Sequence, residues 1–402
     1  MSFGQGLSGL NAAAKNLDVI GNNVANSNTS GFKQGVAIFG DVFAASLGGG
    51  SGTQIGIGTQ IQGVNQLFSQ GSITVTNNPL DIAINGQGFF RTSDNGTIGY
   101  TRNGGFGLDK DGFIVSSSGQ NLTGFQAVNG TIMPGTLVNL KLNATDLAPM
   151  ATSTVSVGVN LSSNKPVLPT AGLIATDPKT YNFSTASTAY DSLGAAHTMT
   201  YYFNKTGSNT WDSSVYIDGA PANGAGVSSL SFSPAGALLS ATNLVKTAVL
   251  AGGAAPLSIT ADYSATSQFG SNFGVNSLSQ NGFASGSLTG YGISSDGIVV
   301  GRYNNGQVQS LGQIALSNFT NAQGLAPVGE GTWVETAASG VPLTGVPGSG
   351  NLGVLQSSAK EDSNVDLTAE LVNMITAQRV YQANAQSIKI QDTLLQTMVS
   401  LR

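Results

Sequence analysis

Phe3-Gly-Gln-Gly-Leu-Ser-Gly-Leu-Asn-Ala-Ala-Ala-Lys-Asn-Leu-Asp-Val-Ile-Gly-Asn-Asn-Val24 places apolar side chains at Phe3, Leu7, Leu10, Ala14, Leu17 and Val24, with Ile20 beside the stripe. Steps of three and four residues are the period of a helix with a narrow apolar seam. The run Ser27-Asn28-Thr29-Ser30 followed by Gly31 breaks the pattern. The other end of the chain repeats it. Leu367, Leu371, Met374, Tyr381, Ala385, Ile388, Leu395 and Val399 share the spacing, with Gln378 and Asp392 as polar interruptions. Ser363 with Asp366 three residues on predicts an N-cap and its acidic partner. Glu361, Asp362 and Glu370 near that start, and Lys389 and Arg402 toward the end, suit a helix dipole.

Working inward, the composition changes. Val155, Val157, Val159 and Leu161 alternate with Ser156, Gly158 and Asn160, as do Leu80, Ile82, Ile84 and Met199, Tyr201, Phe203. Asn95-Gly96, Asp111-Gly112, Asn129-Gly130, Asp218-Gly219, Asp296-Gly297 and Asn305-Gly306 punctuate these runs as turns. The expected fold is therefore mixed but mainly β. Long terminal α-helices pair in a coiled-coil-like inner domain, because a helix with so narrow a seam is marginal alone. Residues 1–70 plus 358–402 are expected to form that inner domain, with a glycine-rich connector from Leu47 to Gly58. Residues 71–144 plus 281–357 are expected to make a discontinuous middle β-domain, and 145–280 an outer one.

The bulk numbers exclude much. Only 9% of the 402 residues are charged, against roughly 25% in ordinary soluble domains, so the surface repels its own copies weakly. Between Pro221 and Ser295 the only charges are Lys246 and Asp262. A net charge of -5 supplies no cationic field for nucleic acid. There is no cysteine, so thiolate catalysis and cysteine metal sites are out. The start lacks a basic segment followed by an apolar one, and no apolar run is long enough to span a membrane. Export, if it occurs, is expected to need no cleaved signal.

Other motifs take bland readings. Gly4-Gln-Gly-Leu-Ser-Gly9 matches a dinucleotide fingerprint but has no strand before it, so its glycines are read as small seam residues. His197 is the only histidine and lacks the neighbours of a zinc site. Asp109 and Asp111 beside Gly112 read as a turn rather than a calcium loop. No catalytic, cofactor or metal residue is assigned, and the chain is not expected to be an enzyme.

Two stretches carry a specific resemblance. Asn16-Leu-Asp-Val-Ile-Gly-Asn-Asn-Val-Ala-Asn-Ser-Asn-Thr-Ser-Gly-Phe-Lys33 is similar to the N-terminal signature of the flagellar rod and hook family, through Asn22, Asn23, Asn26, Gly31 and Phe32. Ser363-Asn364-Val365-Asp-Leu, Glu370-Leu-Val-Asn-Met-Ile and Gln378-Arg-Val-Tyr-Gln-Ala-Asn384 resemble its C-terminal helix. Ser69-Gln-Gly-Ser, Leu80-Asp-Ile-Ala-Ile-Asn-Gly-Gln-Gly-Phe-Phe90, Tyr100-Thr-Arg-Asn-Gly-Gly-Phe106 and Leu311-Gly-Gln-Ile-Ala-Leu-Ser-Asn-Phe319 resemble its β-domain. Lys360 stands where the family pattern has an aliphatic residue. Hook members fit better than the shorter distal rod members, because about 135 residues lie between Thr145 and Gln280. The alternatives are a distal rod protein with an inserted domain, or a secreted β-rich adhesin.

The resemblance implies a homopolymer: a flexible curved tube, or universal joint, that links the basal-body rod to the filament and transmits torque outside the cell. The helix residues quoted above would then form seams between subunits. Implied partners are further copies of the chain, the distal rod protein, the hook–filament junction protein, the hook cap scaffold and the type III export apparatus. Neither nucleic acid nor membrane is implied.

Overall fold

The protein is described here by a computed structural model. It covers residues 3–42, 56–142, 146–168, 173–223, 227–250 and 252–400. Most of the expected Leu47–Gly58 connector, Thr145 and Arg402 lie outside those residues. The chain divides into two compact units. The first comprises residues 1–143, 291–301 and 309–402, and the second residues 144–290 and 302–308.

The first unit holds both helices, α1 (Phe3–Ala25) and α2 (Leu367–Ser400). The start of α2 corrects the expected cap. The Asp366 carboxylate accepts the Thr368 and Ala369 amides at 2.9 and 3.1 Å, so Asp366, not Ser363, is the N-cap. Ser363 instead accepts the Val365 amide in the approach to the helix. Lys389 lies too far from Ser400 to act on the helix dipole, which is felt within the last turn.

After α1 the chain forms the antiparallel hairpin Gly35–Val42 with Gly58–Gln66. A larger sheet follows, running from Val308–Ile314 through Asn121–Val128, Phe89–Asp94, Thr97–Thr101 and Thr332–Val334 to Ala326–Gly329. Two short antiparallel pairs then stitch the returning chain to the outgoing one: Val354–Ser357 on Ile82–Asn85, and Ala359–Glu361 on Ile73–Val75. Ile82, Ala83 and Ile84 are all fully buried, so this strand is covered on both faces rather than one. Ile82 and Ile84 join Phe90, Ile114, Leu122 and Leu316 in one core. A second core, aromatic, gathers Phe89, Tyr100, Phe319 and Trp333 edge to face.

In the second unit, Thr154–Asn160 lies between Leu257–Asp262, to which it is parallel, and Gly274–Gln280, to which it is antiparallel. The antiparallel run Phe183–Tyr190, Ala196–Gly207, Thr210–Ile217, Ser228–Phe232 and Leu238–Ala241 makes the other sheet. Alternate residues of both sheets fill one core: Val157, Val159, Ile259, Tyr201, Phe203, Trp211 and Tyr263. Two-residue turns close the hairpins where the sequence puts them. Asn95-Gly96, Asn129-Gly130 and Asp218-Gly219 all take positive φ, which lets the tight turn follow the strand twist.

Candidate assembly surface

The terminal helices pack on each other, through small residues. On α1 the buried positions are Gly6, Ala13, Ile20 and Asn23. A Cβ on Gly6 would stand 2.9 Å from Ile388, and one on Gly9 would stand 2.8 Å from the Asn384 side chain. The glycines of α1 therefore let the Ile388 and Asn384 side chains of α2 come close to the α1 backbone. On α2 only Glu370 and Ala377 are buried.

Apart from Ile388, which packs on Gly6, the expected seam residues sit beside this contact. Phe3 is 52% and Leu7 45% exposed, while Leu10, Ala14, Leu17 and Val24 are half-buried. On α2, Leu367, Leu371, Tyr381, Leu395 and Val399 are exposed, and Met374, Ala385 and Ile388 are half-buried. A second exposed row on α2, Val372, Ile375, Val380, Ile390, Leu394 and Met398, escaped sequence reading because its spacing is diluted by Thr, Ser and Ala. The hairpin after α1 adds Val36, Ile38, Phe39, Ile61 and Val64, all exposed. Isolated exposed apolar residues are ordinary; rows of them, as on these helices and this hairpin, make a candidate interaction surface.

The motif residues at the base of the helices hold the two chain ends together. Asn23 exchanges two hydrogen bonds with the Gly35 backbone, at 2.8 and 2.9 Å. The Asn26 amide donates to the Asn22 carbonyl, and Thr29 donates to Asn26, closing the end of α1. Gly31 has φ +73°, and a Cβ there would lie 2.5 Å from the Asn103 amide nitrogen, so no other residue fits. The half-buried Phe32 donates its amide to Thr29. Across the chain, Asn364 accepts the Gln34 amide and donates to the carbonyls of Leu67 and Ser69.

Under this lies a cluster that sequence reading missed. Lys33 Nζ is 2.6 Å from Glu361 Oε1, and Arg102 Nη1 is 3.2 Å from Glu361 Oε2; all three side chains are buried. Lys33 also donates to the Ser69 carbonyl, Arg102 to the Gly86 carbonyl, and the Gly71 amide donates to Glu361. Burial pushes the Lys33 ammonium and the Arg102 guanidinium below their usual ranges, with Glu361 opposing the shift. Glu361 thus ends a strand and pairs with two cations, and does not serve the α2 dipole. Lys360, the departure from the family pattern, reaches Asp81 at 3.3 Å.

The chemistry-bearing candidates form no catalytic arrangement. Gly4–Gly9 is helical and packs against α2. Asp109 accepts the amides of Asp111 and Phe113 in a turn. His197 lies on a strand, with Nδ1 2.6 Å from Asp218 and Nε2 3.4 Å from Asp191. The hydrogen bond to Asp218 outweighs partial burial and raises the imidazole pKa. Burial alone would raise Asp191, but the Ala195 amide, His197 and the Leu193 amide hold it below the usual carboxylate range. Asp218 is lowered chiefly by its bond with His197. Among the described residues no group of three or more His, Cys, Asp or Glu could hold a metal ion. No described helix is long and apolar enough to cross a membrane.

Four family models match along the chain. They are a flagella basal body rod protein model over residues 5–33, a flagellar hook protein FlgE/F/G D1 domain over 83–158, a flagellar basal body protein FlaE D2 domain over 160–283, and a flagellar basal body rod FlgEFG protein C-terminal model over 356–401. The chain is 44% identical to the flagellar hook protein FlgE of Escherichia coli K12, with both chains fully covered. It is also 44% identical to that of Salmonella typhimurium LT2, again with full coverage of both. Against the Rhizobium meliloti protein of the same name the identity is 34%, covering 99% of this chain and 98% of that one. In fold it resembles the crystal structure of Helicobacter pylori flagellar hook protein FlgE2, with TM-score 0.55 and 16% identity over 72% of this chain and 99% of that one.

Proposed function

Because the chain belongs to the flagellar hook protein family, we propose that it is a structural subunit of the hook that polymerises through its terminal helices. The observation that carries this is the mismatch at the helix pair. The helices meet through Gly6, Gly9 and Ala13, and leave Leu7, Leu371 and Leu395 open to solvent. Copies of the same chain cover those side chains, so apolar burial drives assembly. Full-length similarity to hook proteins, with a D2 segment at 160–283, favours a hook subunit over a rod protein with an inserted domain.

In the finer reading, residues 1–70 with 358–402 form the inner layer, whose helices line a channel. Residues 71–144 with 281–357 make the middle layer, and 145–280 the outer one. The charge-poor second unit gives outer contacts few strong directional bonds, so alternative contacts differ little in energy and the tube bends. The tube joins rod to filament and carries torque. Its neighbours are the distal rod protein, the junction protein and the cap scaffold, and it reaches them through the type III export apparatus. We assign it no catalytic role; the lone histidine is held between the carboxylates of Asp191 and Asp218. Electron microscopy of purified protein in high salt tests the reading. Curved tubes are the expected result; straight stiff rods, or no polymer, would contradict it.

A further inference from the structure

Glu370 opens the first turn of α2 and is 3% exposed. One carboxylate oxygen, Oε1, accepts the Gln34 side-chain amide at 2.6 Å. The other, Oε2, is buried and has no hydrogen-bond partner. A buried carboxylate oxygen left unpaired is costly, and native structures rarely keep one without use. Beside Glu370, between α1, α2 and the strand Gly35–Val42, lies an open cleft of about 270 Å³ that Asn16, Asn23 and Asn373 also line. Glu370 and these asparagines line the cleft, so a small rotation of the Glu370 carboxylate would present Oε2 to a cationic donor with several N–H groups.

The chain holds such a donor. Among the described residues of this unit, Lys33 and Arg102 are paired with Glu361, Lys15 with Asp18, Lys110 with Asp111 and Lys360 with Asp81. Arg91 donates to Thr123, and Lys141 sits over Phe113. Arg379 and Lys389 remain, both exposed. Arg379 cannot reach Glu370 of its own chain. Nine residues along an α-helix turn a side chain about 180° and carry it about 14 Å along the axis. A second copy can supply it. Arg379 suits the cleft better than Lys389, because a planar fork of five donors can engage the carboxylate and the amide oxygens together. Exposed Val372 and Ile375 flank Arg379 and would help exclude water from the pair.

We propose that Arg379 of one copy enters the cleft of the next and pairs with Glu370 Oε2, so that an ion pair fixes the register of the apolar helix contact. This rests on the self-assembly reading, and tubes from the unaltered chain are the control that separates the two. The test is sedimentation of full-length protein. Glu370→Arg and Arg379→Glu should each raise the concentration needed for polymer at least about tenfold, since each buries like charges together. Mixed one to one they should co-polymerise at close to the normal concentration, because every contact between unlike copies is then Arg–Glu. The cycle Glu370→Gln, Arg379→Gln and both together avoids any foreign charge and keeps an acceptor for Gln34; its effects should be markedly non-additive. Normal assembly of Arg379→Glu, additive effects in the cycle, or loss with Lys389→Glu in place of Arg379→Glu would each overturn the pairing. If the unaltered chain forms no tubes, self-assembly itself falls.

Discussion

The second unit and the terminal helices use apolar residues in opposite ways. In the second unit Trp211, Tyr201, Phe203 and Tyr263 are fully enclosed, and their polar atoms are matched, with Trp211 donating to Gln268 and Tyr263 bonded to Ser213. Burial has pushed the Tyr263 hydroxyl up to about 12. In α2, by contrast, 34 residues bury only Glu370 and Ala377, and its leucines face solvent. One region is complete as a chain; in the assembly proposed above, the other is completed by neighbouring copies. Stability and assembly should therefore respond to different residues.

The largest effects should come from emptying a core or stripping a buried charge of its partner. Trp211→Ala should lower the stability of the second unit by about 3–5 kcal/mol, read by chemical denaturation, while leaving the first unit's transition in place. Glu361→Ala should cost the first unit about 3–5 kcal/mol, because Lys33 and Arg102 would stay buried with no anion between them. A change under about 1 kcal/mol would mean that the cluster is hydrated and holds nothing together.

A smaller effect on the isolated chain, but a decisive one on assembly, is expected from Leu371→Asp. Leu371 is 44% exposed, so the chain should fold with the second unit's melting unchanged, yet polymer should fail to pellet. Tubes of normal length from this variant would remove Leu371 from the seam.

Much of this division is legible in the sequence, for physical reasons. The period of Phe3–Val24 and Leu367–Val399 reveals the helices, and strict alternation from Val155 to Leu161 reveals a core strand. Hidden were the features that depend on which side of a helix meets which partner. Gly6 and Gly9 read as small residues of the seam, but the sequence did not show that they, rather than most of the leucines, make the close helix contact. Glu361 looked like a dipole charge because its partners, Lys33 and Arg102, are far away in sequence. In a chain with 9% charged residues, a lysine inside Gly-Phe-Lys33 and an arginine inside Thr-Arg102-Asn were the available signal.

The smallest expected effect is on pH. His197 titrates higher in the folded chain than in the unfolded one, so its contribution is complete below about 6.5 and is lost as pH rises through the raised value. Asp191 and Asp218 titrate lower when folded, so theirs is present above about 3.9 and is lost in acid. The second unit should be most stable between those limits. His197→Gln should remove the alkaline decline in melting temperature; a decline that persists would place its cause elsewhere.

The central claim is that the terminal helices are finished by other copies of the chain while the second unit is finished by itself. Amide hydrogen exchange of confirmed monomer and of polymer, followed in parallel, tests it most directly. Amides of Leu7–Val24 and Leu371–Leu395 should exchange quickly in the monomer and slowly in the polymer, whereas those of Thr154–Asn160 and Ala196–Gly207 should be slow in both. Helix amides as protected in the monomer as those core strands would contradict the account.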